Sequence, residues 1–325
     1  MKHLPPRMPC VTLLLLVLLH GLETNAAERP DMVIFLSDDH TYHDSSPYGF
    51  DQSKIATPNM DRLAKAGMTF DRAYVNSPAC APSRASLLTG LFTAHHQAEP
   101  NHARPLATLK KLPAFLQELG YEVVSFGKVG HYNQTPEYGF DIAKHFKYHE
   151  DIAIDKACRW LEDRRDERPL CLFVGTNWPH VPWPEIDLKS DEGADLSIPP
   201  THADTNISRL WRARYVRAVE NMDRDLGKVY DTSRRILGED VFFLHTSDHG
   251  AQWPSGKWTL TEDGVRTPMI VSWRGRIEES TRSRAMVQWI DVLPTLVDVA
   301  GGALPTNIDG RSFLPVLTGS STKHR

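Results

Sequence analysis

Met32-Val33-Ile34-Phe35-Leu36-Ser37-Asp38-Asp39 is a short apolar run, rich in β-formers, that leads straight into two carboxylates. An apolar run of this length fits a central strand of a parallel sheet, buried on both faces. Adjacent carboxylates repel each other and lose solvation inside a core. At the carboxyl end of a parallel strand they can instead face a metal ion; the plainer alternative is a solvated turn.

Working outward, further runs have strand character at residues 68–75, 121–126, 170–175, 240–246 and 269–273. Helical signals lie between them. Thr57 as cap and Pro58 at the first position open one helix, which Gly67 ends. Amphipathic periodicity places others at 109–119, 151–164, 210–236 and 287–300. Residues 185–208, with Pro199-Pro200 among them, read as a long loop and a candidate substrate-facing insert. Alternation of this kind predicts an α/β fold, with a mostly parallel central sheet and helices on both faces.

The chain has 325 residues, a net charge of -4 and 41% hydrophobic residues, enough for one large domain. No basic excess points to nucleic acid as a partner. Lys2 and Arg7 precede an apolar run at 11–19, with Ala26-Ala27 behind it, which reads as an export signal over 1–27 ahead of a domain over 28–325. The run is short for a stable membrane span. The exported part carries Cys80, Cys158 and Cys171, an odd number, so at least one is unpaired within the chain. Cys158 and Cys171 could pair, but the strand-like run around Cys171 favours core positions.

Several residues of chemical interest sit just past strand ends, where such sheets gather their active sites. Lys128 is one; no glycine-rich turn of phosphate-loop spacing precedes it. Asp248 is another, and could complete a cluster begun by Asp38 and Asp39, with His249 beside it. In Asn177-Trp178-Pro179-His180-Val181-Pro182-Trp183-Pro184, three prolines and two tryptophans give His180 a defined pose. A histidine held so can donate a proton or hydrogen bond to a substrate oxygen; an ordinary structural role is the alternative. His40 and His43 could line the mouth of the site or lie on the surface.

The most specific signal is Cys80-Ala81-Pro82-Ser83-Arg84, followed by Thr89-Gly90. Pro82 suits a first helical turn, Ser83 to Leu88 can continue the helix and Gly90 can end it. Cys80 then lies at a helix N-terminus, whose free N–H groups favour an anion, and Arg84 can reach back toward that anion. A buried cysteine or a thiolate nucleophile is the reading from these residues alone.

This motif resembles the signature of the type I sulfatases. The resemblance implies the alkaline-phosphatase-like sulfatase fold and oxidation of Cys80 to formylglycine, whose hydrate is the nucleophile. It further implies one calcium ion held by Asp38, Asp39, Asp248 and His249 with residue 80 as a ligand. Lys128, Lys257 and Arg84 would face the sulfate, His180 the bridging oxygen, and His131 would take the proton that lets sulfate leave. The segments around Thr57-Pro58-Asn59, Lys257 to Pro268, Asp291 to Thr295 and Asp309 to Leu317 match family landmarks. His131 three residues after Lys128, and His249 after Asp248, resemble the iduronate-2-sulfatase branch. The implied partners are a sulfated carbohydrate or other sulfate ester and a formylglycine-generating enzyme. The implied location is periplasmic or secreted in a bacterium, lysosomal or secreted in a eukaryote. Family chains usually continue past the last landmark into a small antiparallel-sheet subdomain, expected to be missing here. A metal-dependent phosphomonoester or phosphonate hydrolase, or an inactive glycan-binding relative, are the competing readings.

Overall fold

The computed structural model describes residues 29–49, 55–146, 152–186 and 196–325, together with Met1. The expected export signal therefore lies outside the described residues, apart from Met1, and so does part of the long loop, at 187–195. In chain order the strands are β1 (Met32–Ser37), β2 (Gly67–Tyr74), β3 (Glu122–Gly127), β4 (Ile142–Lys144), β5 (Leu170–Gly175), β6 (Phe242–Ser247), β7 (Met269–Ser272) and β8 (Thr281–Gln288). The main helices are α1 (Pro58–Lys65), α2 (Cys80–Thr89), α3 (Thr93–His96), α4 (Leu112–Gln117), α5 (Ile152–Asp163), α6 (Asn206–Leu237), α7 (Glu262–Val265), α8 (Val292–Val299) and α9 (Leu314–Leu317).

All eight strands form one sheet, in the order β4-β3-β5-β1-β6-β7-β2-β8. β1 is central and pairs in parallel with β5 and β6. Only β7 runs against its neighbours among the described strands. Alternation along β1 feeds two cores. Met32, Ile34 and Leu36 pack with residues of α2, α4, α8 and α9 on one face. Val33 and Phe35 pack with α1, α5 and α6 on the other. Each such side chain, fully buried, contributes about 1.5–3 kcal/mol, which explains why a strand covered on both faces needs an unbroken apolar run.

The α/β architecture is the expected one, with several local differences. The run at 287–300 is not one helix: Val287 and Gln288 finish β8, a short 3-10 turn covers Trp289–Asp291, and α8 follows. The helix over 109–119 contracts to α4, with Pro113 in its first turn. Thr57 does not cap α1 with its side chain. Its hydroxyl accepts the Ser46 N–H instead. The cap comes from Asp223 on α6, whose carboxylate accepts the N–H groups of Asn59 and Met60. Cys158 and Cys171 are free and buried, as core residues.

Two features aim the strand ends at one place. Gly127 ends β3 at φ 77, and a Cβ there would fall 2.0 Å from the Gly175 carbonyl oxygen. Only glycine permits that turn and that approach, and Lys128 leaves the sheet from it. Cys80 is the first residue of α2, and Gly90 closes the helix in the left-handed region at φ 69.

Candidate active site and metal centre

The carboxyl ends of β1, β3 and β6, the segment after β5 and the start of α2 converge on a buried cluster. Asp38, Asp39, Cys80, Lys128, His131, Asp248, His249 and Lys257 are each at most 5% exposed, and Arg84 is wholly enclosed. Ligand atoms of Asp39, Cys80, Asp248 and His249 lie within 4.8 Å of one another, and so do those of Asp38, Asp39 and His180. The cluster contains Cys80 Sγ 3.2 Å from His249 Nε2 and 3.8 Å from Lys128 Nζ.

The cations divide the work. Lys128 donates to Asp38 Oδ2 at 2.5 Å. Lys257 donates to both oxygens of Asp39, at 3.0 and 2.9 Å, and its Nζ is 3.1 Å from His180 Nε2. Arg84 does not point its guanidinium at an open anion site. Nε donates to Asp248 and Nη2 to Asp38, and Nη1 donates to the Lys128 and Val129 carbonyls. At the start of α2 the Ala81 N–H is also taken, by Asn101 Oδ1 at 3.0 Å.

Enclosing so many charges shifts several of them. Burial raises the Asp38 carboxyl, but the Lys128 charge, with His180 and Arg84, overrides it and holds Asp38 below the usual range. Asp248 goes the other way, pushed up to about 7 by burial, with Arg84 and His249 opposing and the Asp38 charge adding. Burial would neutralise His249, yet the charges of Asp248 and Asp39 raise it to about 9. Burial also raises the Cys80 thiol, and Lys128 and His249 more than reverse that. Ligand atoms of three carboxylates, two imidazoles and residue 80 nonetheless converge here in two overlapping groups. The donors fit a divalent ion: carboxylate oxygens, an imidazole nitrogen and the side chain of residue 80.

The remaining expected residues are placed as follows. His180 lies on the rim, with Nδ1 2.6 Å from the Val181 carbonyl and Nε2 3.6 Å from Asp39. His131 Nε2 meets His102 Nδ1 at 2.7 Å. His40 is buried outside the cluster and contacts the Asp44 carbonyl. His43 bridges Asp44 and Asp263. Asn101 and His102 escape sequence reasoning, because they sit in a stretch with no periodicity and no motif.

A family model described as Sulfatase matches residues 30–303. The chain belongs to the sulfatase family. Among curated sulfatase relatives, the ulvan-active sulfatase of Formosa agariphila is 30% identical over 312 residues, covering 93% of this chain and 61% of that one. N-acetylgalactosamine-6-sulfatase of Canis lupus familiaris is 30% identical over 371 residues, covering 96% and 71%. This sulfatase chain thus spans about three-fifths to seven-tenths of the length of these relatives. The fold is shared with a protein solved in complex with its substrate D-glucosamine-2-N,6-O-disulfate, at TM-score 0.74 and 22% identity, covering 92% and 82%. It is also shared with the phosphonate monoester hydrolase of Agrobacterium radiobacter, at TM-score 0.77 and 19% identity, covering 90% and 77%. Among the described residues, no helix is long and apolar enough to cross a membrane.

Proposed function

We propose that the protein hydrolyses sulfate esters, on a sulfated carbohydrate, with formylglycine made from Cys80 and with calcium as the divalent ion. The observation that carries this reading is the position of Cys80: first residue of α2, beside His249 and Lys128, inside a group of three buried carboxylates. Sγ in the structure stands where an oxygen of the formylglycine hydrate would be. Asp38, Asp39, Asp248 and His249 would hold the ion, and the oxygen-rich set favours calcium. The ion, when bound, polarises the sulfate and favours the deprotonated nucleophile. The hydrate supplies an attacking oxygen and a second hydroxyl, whose deprotonation expels sulfate as the aldehyde re-forms.

The chain's own residues supply the rest. Lys128 and Lys257 offer charge to the sulfuryl oxygens. His180 serves the leaving oxygen through Nε2, the nitrogen that faces Lys257. His131, whose proton affinity is lowered chiefly by burial, is the base for the second hydroxyl. Arg84 holds Asp38 and Asp248 in place. The spacing from Lys128 to His131, and His249 after Asp248, support placement near the iduronate-2-sulfatase branch. The sugar-acting names of the relatives support a carbohydrate substrate, and the signal-like segment at 1–27 an exported protein, matured by a formylglycine-generating enzyme.

Peptide mass spectrometry with paired assays tests this reading. A tryptic peptide spanning Cys80 should be lighter than its thiol form by about 18 Da, the change from a thiol to an aldehyde side chain. The same preparation should cleave aryl sulfate in preference to aryl phosphate and phosphonate monoesters. Full activity from protein carrying only unmodified Cys80, or a preference for the phosphorus esters, overturns it.

A further inference from the structure

We propose that His102 is a positioning residue for His131: it holds the ring and keeps its proton on Nε2, so that Nδ1 is the free base. This rests on the reading of His131 given above. His102 Nδ1 and His131 Nε2 are 2.7 Å apart, with ring centroids 4.6 Å apart in an edge-on arrangement. His131 Nδ1 is buried and meets no oxygen or nitrogen partner among the described residues. His102 itself is exposed.

The pose of His102 is built rather than incidental. Its backbone is in the left-handed region at φ 72, where a non-glycine residue is uncommon. Its carbonyl accepts from Gln134 Nε2 at 2.9 Å. The preceding residue, Asn101, is fixed to the first turn of α2 through the Ala81 N–H. The His102 ring stacks on Tyr132, 9° from parallel at 6.0 Å, and the Tyr132 ring in turn lies 5.0 Å from Lys128 Nζ. One short segment thus connects the helix of Cys80 to the turn that carries His131. Only one of the two facing nitrogens carries the shared proton, and the ring that gives it keeps its other nitrogen as the lone-pair side. With His102 accepting at Nδ1 and turning its Nε2–H to solvent, His131 must donate from Nε2. Its Nδ1 lone pair then takes the hydroxyl proton, and the electrons of that O–H bond form the carbonyl as the carbon–oxygen bond to sulfate breaks.

The test uses full-length, formylglycine-bearing protein with His102→Ala and His102→Asn variants. Nitrogen-15 NMR should find the His131 proton on Nε2 in the wild type, and a mixed tautomer in His102→Ala. With para-nitrophenyl sulfate, His102→Ala should lower kcat by about tenfold or more, the usual scale for losing an orienting partner. KM should change by less than about twofold. Release of nitrophenolate should show a burst equal to the formylglycine content, because the first half of the reaction does not need His131. His102→Asn should recover most of the rate, since its amide oxygen can accept where Nδ1 did and asparagine tolerates positive φ. A proton on Nδ1 of His131 in the wild type overturns the proposal, and so does an unchanged kcat in His102→Ala. Equal slowing of both variants with a raised KM and a lowered Tm also overturns it, leaving a loop that only supports the fold. If modified, metal-loaded wild type fails to cleave the aryl sulfate, the reading of the reaction falls, and the tautomer measurement still decides the role of His102.

Discussion

Arg84 Nε lies 3.0 Å from Asp248 Oδ2, and neither side chain has any exposure to solvent. The same guanidinium donates to Asp38 and to two backbone carbonyls after β3. One residue of α2 therefore joins the ends of three strands. Lysine carries a single point charge and cannot reproduce that fork. Arg84→Ala should cost about 3–5 kcal/mol, the scale for leaving a buried charge without its partner, and Arg84→Lys should fall between. Urea denaturation checks this. A variant that keeps its stability but loses turnover would assign Arg84 to the substrate anion instead.

Calcium should raise Tm by binding the folded state alone. Asp39→Asn keeps the volume of the side chain and removes a charge from both groups of candidate ligands, so the calcium-induced rise should vanish. Scanning calorimetry of wild type and variant, each with calcium and with chelator, decides it. An undiminished rise in Asp39→Asn takes Asp39 out of the metal site.

The two sides of the substrate can be separated by a leaving-group series. His180→Ala should slow sugar sulfates far more than an activated aryl sulfate, whose phenolate needs little protonation. Lys128→Ala and Lys257→Ala should slow both kinds by roughly 10²–10³, as loss of an oxyanion donor does. The measurement is kcat and kcat/KM for each mutant at known formylglycine content. Uniform slowing by His180→Ala across the series would make His180 a positioning group.

His43 gives a pH dependence away from the chemistry. Burial opposes its charge, but hydrogen bonds and ion pairs with Asp263 and Asp44 prevail and raise it to about 9. Its folded value is above the free value, so its contribution is complete below about pH 6.5 and is lost as pH rises through about 9. The contribution is of order 1–3 kcal/mol. The gap in Tm between wild type and His43→Gln, with calcium saturating, should be wide near about pH 6 and closed near about pH 10. A gap independent of pH excludes the ion pairs as its origin.

The parts of this molecule that a reader of the sequence can find are those with local causes. β1 announces itself because burial on both faces demands an unbroken apolar run, and Asp38-Asp39 stand out because such a run ends in them. Gly90 and Pro82 bound α2 through backbone chemistry alone. β8 is harder. Its inward residues include Ser283, Ala285 and Val287, so the alternation carries too little apolar contrast to compete with the helical pattern that follows. Contacts across long separations are not legible at all: the Asp223 cap on α1, the grip of Asn101 on Ala81, and the diversion of Arg84 onto Asp38 and Asp248. Each depends on which elements the fold brings together, and nothing near those residues in the chain encodes the partner.

Cys80 is 1% exposed, and every residue of α2 is buried. His249, which stands against its sulfur, lies 169 residues further along the chain. At a synthesis rate of about 5–20 residues per second, roughly 8–34 seconds separate the appearance of the two. Through that interval residue 80 has been made and the strand end that closes over it has not. If Cys80 is oxidised before β6 closes over it, the oxidising enzyme would meet an unfinished chain, and would have to recognise Cys80 to Arg84 as a linear peptide rather than as part of a folded surface.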